Sequence, residues 1–288
     1  MKSAILASAF ACAIAVTPTG ALAQGGEGGP PPYIAAENVF DGDWLRVGVG
    51  AGIGPSYDGS DDYAVFPAPI IQGSLGGVDI NTRPAGLALD FIPDSREGPN
   101  FALGPTFRLR SDRADNIKDD VVKLAGELDR AFEIGIAAGI SLPGTLNPRD
   151  SLSFNVDARW DVAGAHEGMV IEPNVTYFTP LDRGTALSLS LGAEFVDDDY
   201  AGYYYSVSPA QSLASGLPEY TADGGLNSLG ANMLLAVDLD GNAINGGLAI
   251  VVIGGYSRLL GDAKRTPYTS IRGSADQFFG AVGIGYTF

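Results

Sequence analysis

Thiols are almost missing from the chain. Its 288 residues hold one cysteine, Cys12. That residue lies in a stretch with Lys2 as a positive start, apolar residues 4–16, and Ala21-Leu22-Ala23 as an A-x-A site. The pattern is that of a cleaved secretory signal over residues 1–23, with a mature start at Gln24. The apolar part is shorter than the ~20 residues of a helical anchor. Ala9-Phe10-Ala11 makes a poor lipidation box before Cys12. A mature chain without thiols excludes disulfides, cysteine–zinc sites and thiol catalysis.

Positive charge is also scarce: 17 Lys and Arg stand against 34 Asp and Glu, for a net −17. This argues against nucleic acid as a partner, which rewards basic patches. Only one histidine is present, His166, in the run Gly164-Ala165-His166-Glu167. Glu167 adjoins it, but no serine is marked as its nucleophile. It reads as a surface turn histidine, and no catalytic residue, cofactor or metal site is expected.

Long hydrophobic runs are absent after residue 23, although 45% of the chain is hydrophobic. A membrane chain without helical spans must close its backbone hydrogen bonds in a β-barrel. What the chain does have is glycine, 40 residues of it, which favours tight turns over long helices.

Period-two alternation dominates from Trp44 onward. In 151–161, Leu152, Phe154, Val156, Ala158 and Trp160 share one face, with Ser153, Asn155, Asp157, Arg159 and Asp161 opposite. A soluble sandwich or a lipid-facing barrel would both suit that single strand. Residues 100–110, 168–179 and 185–195 repeat the pattern at about 10 residues, the length of a tilted membrane strand, where soluble strands run nearer 5–6. The predicted fold is therefore all-β: a transmembrane antiparallel up-and-down barrel of about 12 strands (10–14), with both termini periplasmic. The predicted strands are 44–53, 64–73, 77–82, 85–92, 100–110, 130–142, 151–161, 168–179, 185–195, 226–239, 246–258 and 276–288. The pair 77–82 and 85–92 is the weakest of these. Residues 24–43, rich in Gly, Pro and acid, read as a flexible periplasmic leader, and 44–288 as the barrel.

Turns fall short on the periplasmic side, and loops 54–63, 111–129, 196–225 and 259–275 fall long on the outside. One loop, 114–129, spaces Ile117, Val121, Leu124 and Leu128 for a short amphipathic helix at the barrel mouth. The charges Arg46, Arg108, Arg110, Asp157, Arg159, Glu172 and Glu194 project into the predicted lumen, where they should pair or line a narrow solute path.

Two acidic–aromatic runs stand out. Tyr57, Asp58, Asp61, Asp62 and Tyr63 form a candidate outer-loop site. Its carboxylates could hold Ca²⁺, although the spacing is not an EF-hand and an aromatic belt suits it as well. Asp197-Asp198-Asp199-Tyr200 with Tyr203, Tyr204 and Tyr205 could stack a sugar or anchor at headgroups. Gly48-x-Gly50 lacks the βαβ context of a dinucleotide loop. The chain stops at Phe288 with Tyr286 on the same face, resembling the terminal signal read by the barrel-assembly machinery.

Three blocks carry a wider resemblance. The first is Gly50-x-Gly52-x-Gly54-Pro55-x-Tyr57-x-Gly59-Ser60 with Pro67-x-Pro69. The second is Ser206-Val207-Ser208-x-x-Gln211-Ser212, then Gly216-Leu217-x-x-Tyr220 and Gly224-Gly225. The third is Tyr256 to Ala263 with Pro267, then Gln277-Phe278-Phe279. In this order they resemble the MipA/OmpV family, with Thr266 where a serine is usual. The resemblance implies a non-enzymatic barrel in outer-membrane lipid, acting as a scaffold between a murein synthase and a lytic transglycosylase. Uptake through a narrow channel and adhesion are the alternatives. On the predicted topology the three blocks lie at outer loops, whereas murein lies on the periplasmic side, which offers the short turns and the leader.

Overall fold

The structure, a computed structural model, describes residues 38–95 and 98–288. The expected signal (1–23) and residues 24–37 of the expected leader lie outside the described residues. The leader's last part holds a 3₁₀ turn, Val39–Asp41, capped by the Asn38 side chain.

Thirteen strand segments form one antiparallel sheet. They are β1 (Trp44–Pro55), β2 (Tyr63–Pro67), β3 (Ile70–Leu75), β4 (Val78–Arg83), β5 (Gly86–Asp90), β6 (Asn100–Arg110), β7 (Ala131–Pro143), β8 (Ser151–Asp161), β9 (Met169–Pro180), β10 (Thr185–Val196), β11 (Gly225–Asp238), β12 (Gly247–Leu259) and β13 (Asp276–Thr287). β13 pairs back onto β1 and closes the ring. Segments β2 and β3 occupy one place in it: β3 pairs with residues 44–48 of β1 and β2 with residues 51–55. The run Pro67-Ala68-Pro69 separates them, since proline cannot donate to a ladder. The ring thus has twelve strands, as the alternation predicts, and 78–83 and 86–90 are separate strands.

Burial follows the reverse of a soluble protein. Along β8, Trp160 is 45% exposed while Asp157 and Arg159 are 2% and 1% exposed. Val49, Phe101, Ile136, Leu191, Val282 and Ile284 are likewise bare on the outer face. Apolar atoms outside and charge inside are stable only when the surroundings are hydrocarbon. This is a membrane barrel.

Between Gly48 and Gly50 the seam of β1 with β13 is bare on its inner side. Gly48 lies opposite Gly285 and Gly50 opposite Gly283. A Cβ on Gly48 or Gly50 would run into the backbone of Ile284 or Val282.

Both chain ends of the ring meet at one rim, with the turns at 76–77, 144–150, 181–184 and 239–246. The other rim carries the helices. The sequence predicts one short helix in 114–129. The structure corrects this to five short α-helices: α1 (Asp120–Leu124), α2 (Asp198–Tyr205), α3 (Pro209–Ser215), α4 (Gly261–Arg265) and α5 (Pro267–Ser270). The missed helices have ordinary start signals. The Asp197 side chain caps α2. A capping box, Ser208 with Gln211, starts α3 with Pro209 in its first turn, and left-handed Gly216 ends it.

Candidate functional site: a paired lumen under a loop cap

Alternation on six strands brings ionised side chains to one level of the lumen. β6 supplies Arg108 and Arg110, β7 Glu133, β8 Asp157 and Arg159, β9 Glu172, β10 Glu194 and β4 Arg83. Arg110 Nε is 2.7 Å from Glu133 Oε1, and its Nη2 is 3.1 Å from Glu194 Oε2. Arg159 bonds Glu133 at 3.1 Å, Asp157 at 3.0 Å, and also Glu172. Arg108 Nη1 is 2.6 Å from Glu172 Oε1, and Arg83 Nε 2.9 Å from Asp157 Oδ2. Asn227 and Thr106 donate to Glu194 and Asp157. Four guanidiniums thus meet four carboxylates. Mutual pairing is what offsets the cost of burying these charges.

Six of the seven lumenal charges named from the sequence join this network. Arg46 does not: it sits at the rim of the chain ends, where its Nε donates to Thr287 Oγ1 at 2.8 Å. Glu133 and Arg83 were missed, although the alternation of β7 would have revealed Glu133 between outward Phe132 and Ile134.

His166 is a correction. The sequence places it on the surface, but it is 3% exposed. Gly164 and Glu167 take positive φ and turn the 162–168 loop over the mouth. The ring then lies 5.0 Å from Tyr200 and 5.6 Å from Tyr204. Its Nδ1 accepts from the Gly168 N–H, and its Nε2 faces Glu133 Oε1 at 3.4 Å.

The run Tyr57, Asp58, Asp61, Asp62 and Tyr63 does not converge on one point. Tyr57 is buried, its hydroxyl 3.4 Å from the Tyr268 carbonyl. Asp58 turns toward Arg110, 4.0 Å away. Asp61 and Asp62 face outward, and the Tyr63 hydroxyl accepts from Phe278 N–H. Among the described residues no group of three His, Cys, Asp or Glu is placed to hold a metal.

Above the network the outer loops pack into a cap. One apolar cluster joins Val170, Val196, Tyr200, Ala201, Tyr204, Tyr205, Leu259 and Ala263; a second joins Tyr57, Ile117, Val122, Val207, Leu217 and Tyr268. The Tyr200–Tyr205 run is therefore the cap's core, neither a sugar platform nor a headgroup anchor. Burial holds all three phenols, Tyr200, Tyr204 and Tyr205, above the usual range. Arg113 stacks 3.8 Å over Tyr268 and donates to the Tyr204 carbonyl, joining two loops. Thr266 does the same through its bond to the Tyr205 carbonyl.

Two carboxylates in the cap are pushed in opposite directions. Burial, with the Asp58 carboxylate beside it, raises Asp112 to about 7. Burial also acts on Asp119, but Arg272 and the N–H groups of Val121 and Val122 outweigh it and hold that carboxyl below its usual value.

Beneath the cap is a chamber of about 450 Å³, lined by Asp58, Arg83, Arg108, Glu194, Ser228, Asn232, Ser257 and Phe279 among others. A smaller cavity of about 240 Å³, with Asp79, Asp90 and Asp94, lies toward the rim of the chain ends, and Arg83 borders both.

No curated protein matches this chain. Among solved structures, the COG4313 outer membrane channel of Pseudomonas putida F1 aligns at 14% identity over 91% of this chain and 100% of that one, with a TM-score of 0.41. OprD of Pseudomonas aeruginosa aligns at 13% over 84% of this chain and 65% of its own, TM-score 0.35. The channel DcaP of Acinetobacter baumannii aligns at 10% over 86% and 98%, TM-score 0.32. The model of the MltA-interacting protein MipA family matches residues 47–288, almost the whole described barrel, and the chain belongs to that family.

Proposed function

We propose that the protein is a non-enzymatic outer-membrane barrel that docks murein enzymes, joining a lytic transglycosylase to a murein synthase. The family description, MltA-interacting protein, supports the murein partners. The observation that carries the reading is the obstructed interior: paired charge spans the lumen and a packed cap covers one mouth, so the ends of the barrel are the working surfaces. In this reading residues 1–23 direct export, 24–43 remain as a periplasmic leader, and Tyr286 and Phe288 are read by the barrel-assembly machinery. The rim of the chain ends then faces the periplasm and murein. It presents Leu146, Leu181, Leu239 and Ile244 as exposed apolar side chains on its turns.

The test places a photo-crosslinker at Leu146 or Leu181 in cells. Capture of murein enzymes is expected from these positions and not from Leu213 in the cap. Repeated capture of none, or protease cleavage of the 144–150 turn in intact cells, would remove the proposal.

The chamber favours a second reading, a narrow solute path. It predicts discrete conductance in planar bilayers, altered in Arg108→Gln or Arg159→Gln.

A further inference from the structure

The barrel wall has a window. On its outer half β1 is flanked by β2, and among the described residues no strand pairs with the far edge of β2. The hairpin that should continue the wall is short: β4 ends at Arg83 and β5 begins at Gly86, opposite Arg108. The Ala85 carbonyl at the hairpin tip still accepts from Leu109 N–H, and β6 rises one residue further, to Arg110. The opening is therefore framed by β2, the Arg83–Gly86 hairpin tip and the end of β6. Loops close its top, where Asp58 N–H donates to Asp112 Oδ1 at 2.7 Å.

The exposed edge has a definite polarity. Ala68 N–H bonds the Gly50 carbonyl, so Phe66 and Ala64, in step with it, bond β1 as well. Tyr63, Val65 and Pro67 then turn their backbone groups to the window. Pro67 has no N–H to leave unpaired. On the outside the window is flanked by Val65 and Leu109, 75% and 47% exposed, and so opens on the apolar belt. On the inside the Phe66 ring fills the space beside Gly52, and a Cβ on Gly54 would touch both Phe66 and Phe279.

Behind this apolar frame lies the chamber, which also touches Pro55, Asp58, Pro84 and Arg110. Two of its charges are incompletely met. Arg108 Nη1 meets Glu172 and lies 3.7 Å from Glu194 Oε2, but Nε and Nη2 donate no hydrogen bond among the described residues. The Asp58 carboxylate accepts none there, and its nearest cation is Arg110 at 4.0 Å. A guanidinium edge and a carboxylate open to one cavity call for a ligand carrying both signs, and the neighbouring apolar window calls for a tail.

We propose that the window admits a zwitterionic single-tailed amphiphile from the bilayer. Its acidic group meets Arg108, its ammonium meets Asp58, and its tail leaves between Val65 and Leu109 past Phe66. This site is independent of the docking role at the ends of the barrel.

The test is native mass spectrometry of the full chain released from a non-ionic detergent, with palmitoyl-lysophosphatidylethanolamine added. One retained copy per chain is expected. Retention should fall at least fivefold in Arg108→Gln and in Asp58→Asn, with the heat-modifiable mobility of the folded barrel as the check that each variant still folds. Monopalmitoylglycerol, with the same tail and no charge, should be retained at least fivefold less. With Arg108 and Asp58 intact, a fluorophore on Ser257→Cys, the one thiol of the mature chain, should be quenched by the same lysolipid brominated in its tail. Absence of an adduct overturns the proposal. So does equal retention of the two amphiphiles, which would mark belt lipid, and so does competition by tail-less glycerophosphoethanolamine at the same concentration, which would make the window irrelevant.

Discussion

Arg110 reaches diagonally across the β6–β7 ladder to Glu133. In register Glu133 faces Arg108 and Arg110 faces Ala131, yet the 2.7 Å bond runs from Arg110. Arg108 is thereby released toward Glu172. Glu133 is fully buried and also bonds Arg159, so one carboxylate ties two guanidiniums.

Removing that carboxylate leaves both cations short of a partner. Glu133→Gln should lower barrel stability by about 3–5 kcal/mol, the cost of breaking a buried pair. Urea unfolding in detergent micelles checks it: the midpoint should fall with little change in slope. Asp120→Asn, on an exposed i,i+3 pair with Lys123, should change it by less than about 1 kcal/mol.

Asp112 sets one limb of the cap's pH response. An unfolded aspartate ionises near ~3.9, whereas Asp112 ionises at about 7. The packed cap binds this proton more tightly, so its contribution is complete below ~4 and is lost as pH rises toward 7. Hydrogen exchange of residues 198–224, corrected for intrinsic rates, should show more opening at pH 8 than at pH 5. Asp112→Asn should flatten that difference.

Asp119 sets the opposite limb. Its pairing with Arg272 favours the ionised form and holds the folded pKa below the unfolded one, so the stabilisation is present above the unfolded value and lost as pH falls through the lower folded one. Arg272→Gln should loosen α1 at neutral pH, read as faster exchange at residues 120–126, and make further acidification below about 4 less damaging there.

The cap should act as a stopper. Deleting 198–215, which removes α2 and α3 together with Tyr200, Tyr204 and Tyr205, should raise single-barrel conductance in planar bilayers. An unchanged current would mean that the paired charges alone block the lumen.

Phe288 is 64% exposed, and its ring lies 4.7 Å from that of Tyr286, tilted by 60°. Phe288→Ala should reduce the folded barrel in outer-membrane fractions severalfold, while the purified folded product loses less than about 0.5 kcal/mol, as a surface change does.

The strands were legible because a pleat alternates every two residues and lipid rewards one face. Phe154 and Asp157 declare their sides without knowledge of their neighbours. The lumenal charges followed from the same rule, and what escaped depends on contacts distant in sequence. His166 becomes buried only when Tyr200 and Tyr204 fold over it. The cap helices were hidden because α2 consists largely of tyrosine and acid, so no apolar stripe marks it, although the Ser208–Gln211 box was open to reading. The short β4–β5 hairpin was correctly separated, but its height relative to β2 is a matter of register across strands, which no local pattern encodes.

At the β1–β13 join, Gly48 faces Gly285 and Gly50 faces Gly283. Nothing protrudes inward to interleave between these glycines, so above the Arg46–Thr287 bond the two ends of the sheet can come together by main chain, without a side chain needing to find a slot. A methyl group added at Gly48 would not disturb the open ribbon of strands; it would be felt only when the first strand meets the last. The step that turns a ribbon into a cylinder therefore depends on atoms the sequence leaves out.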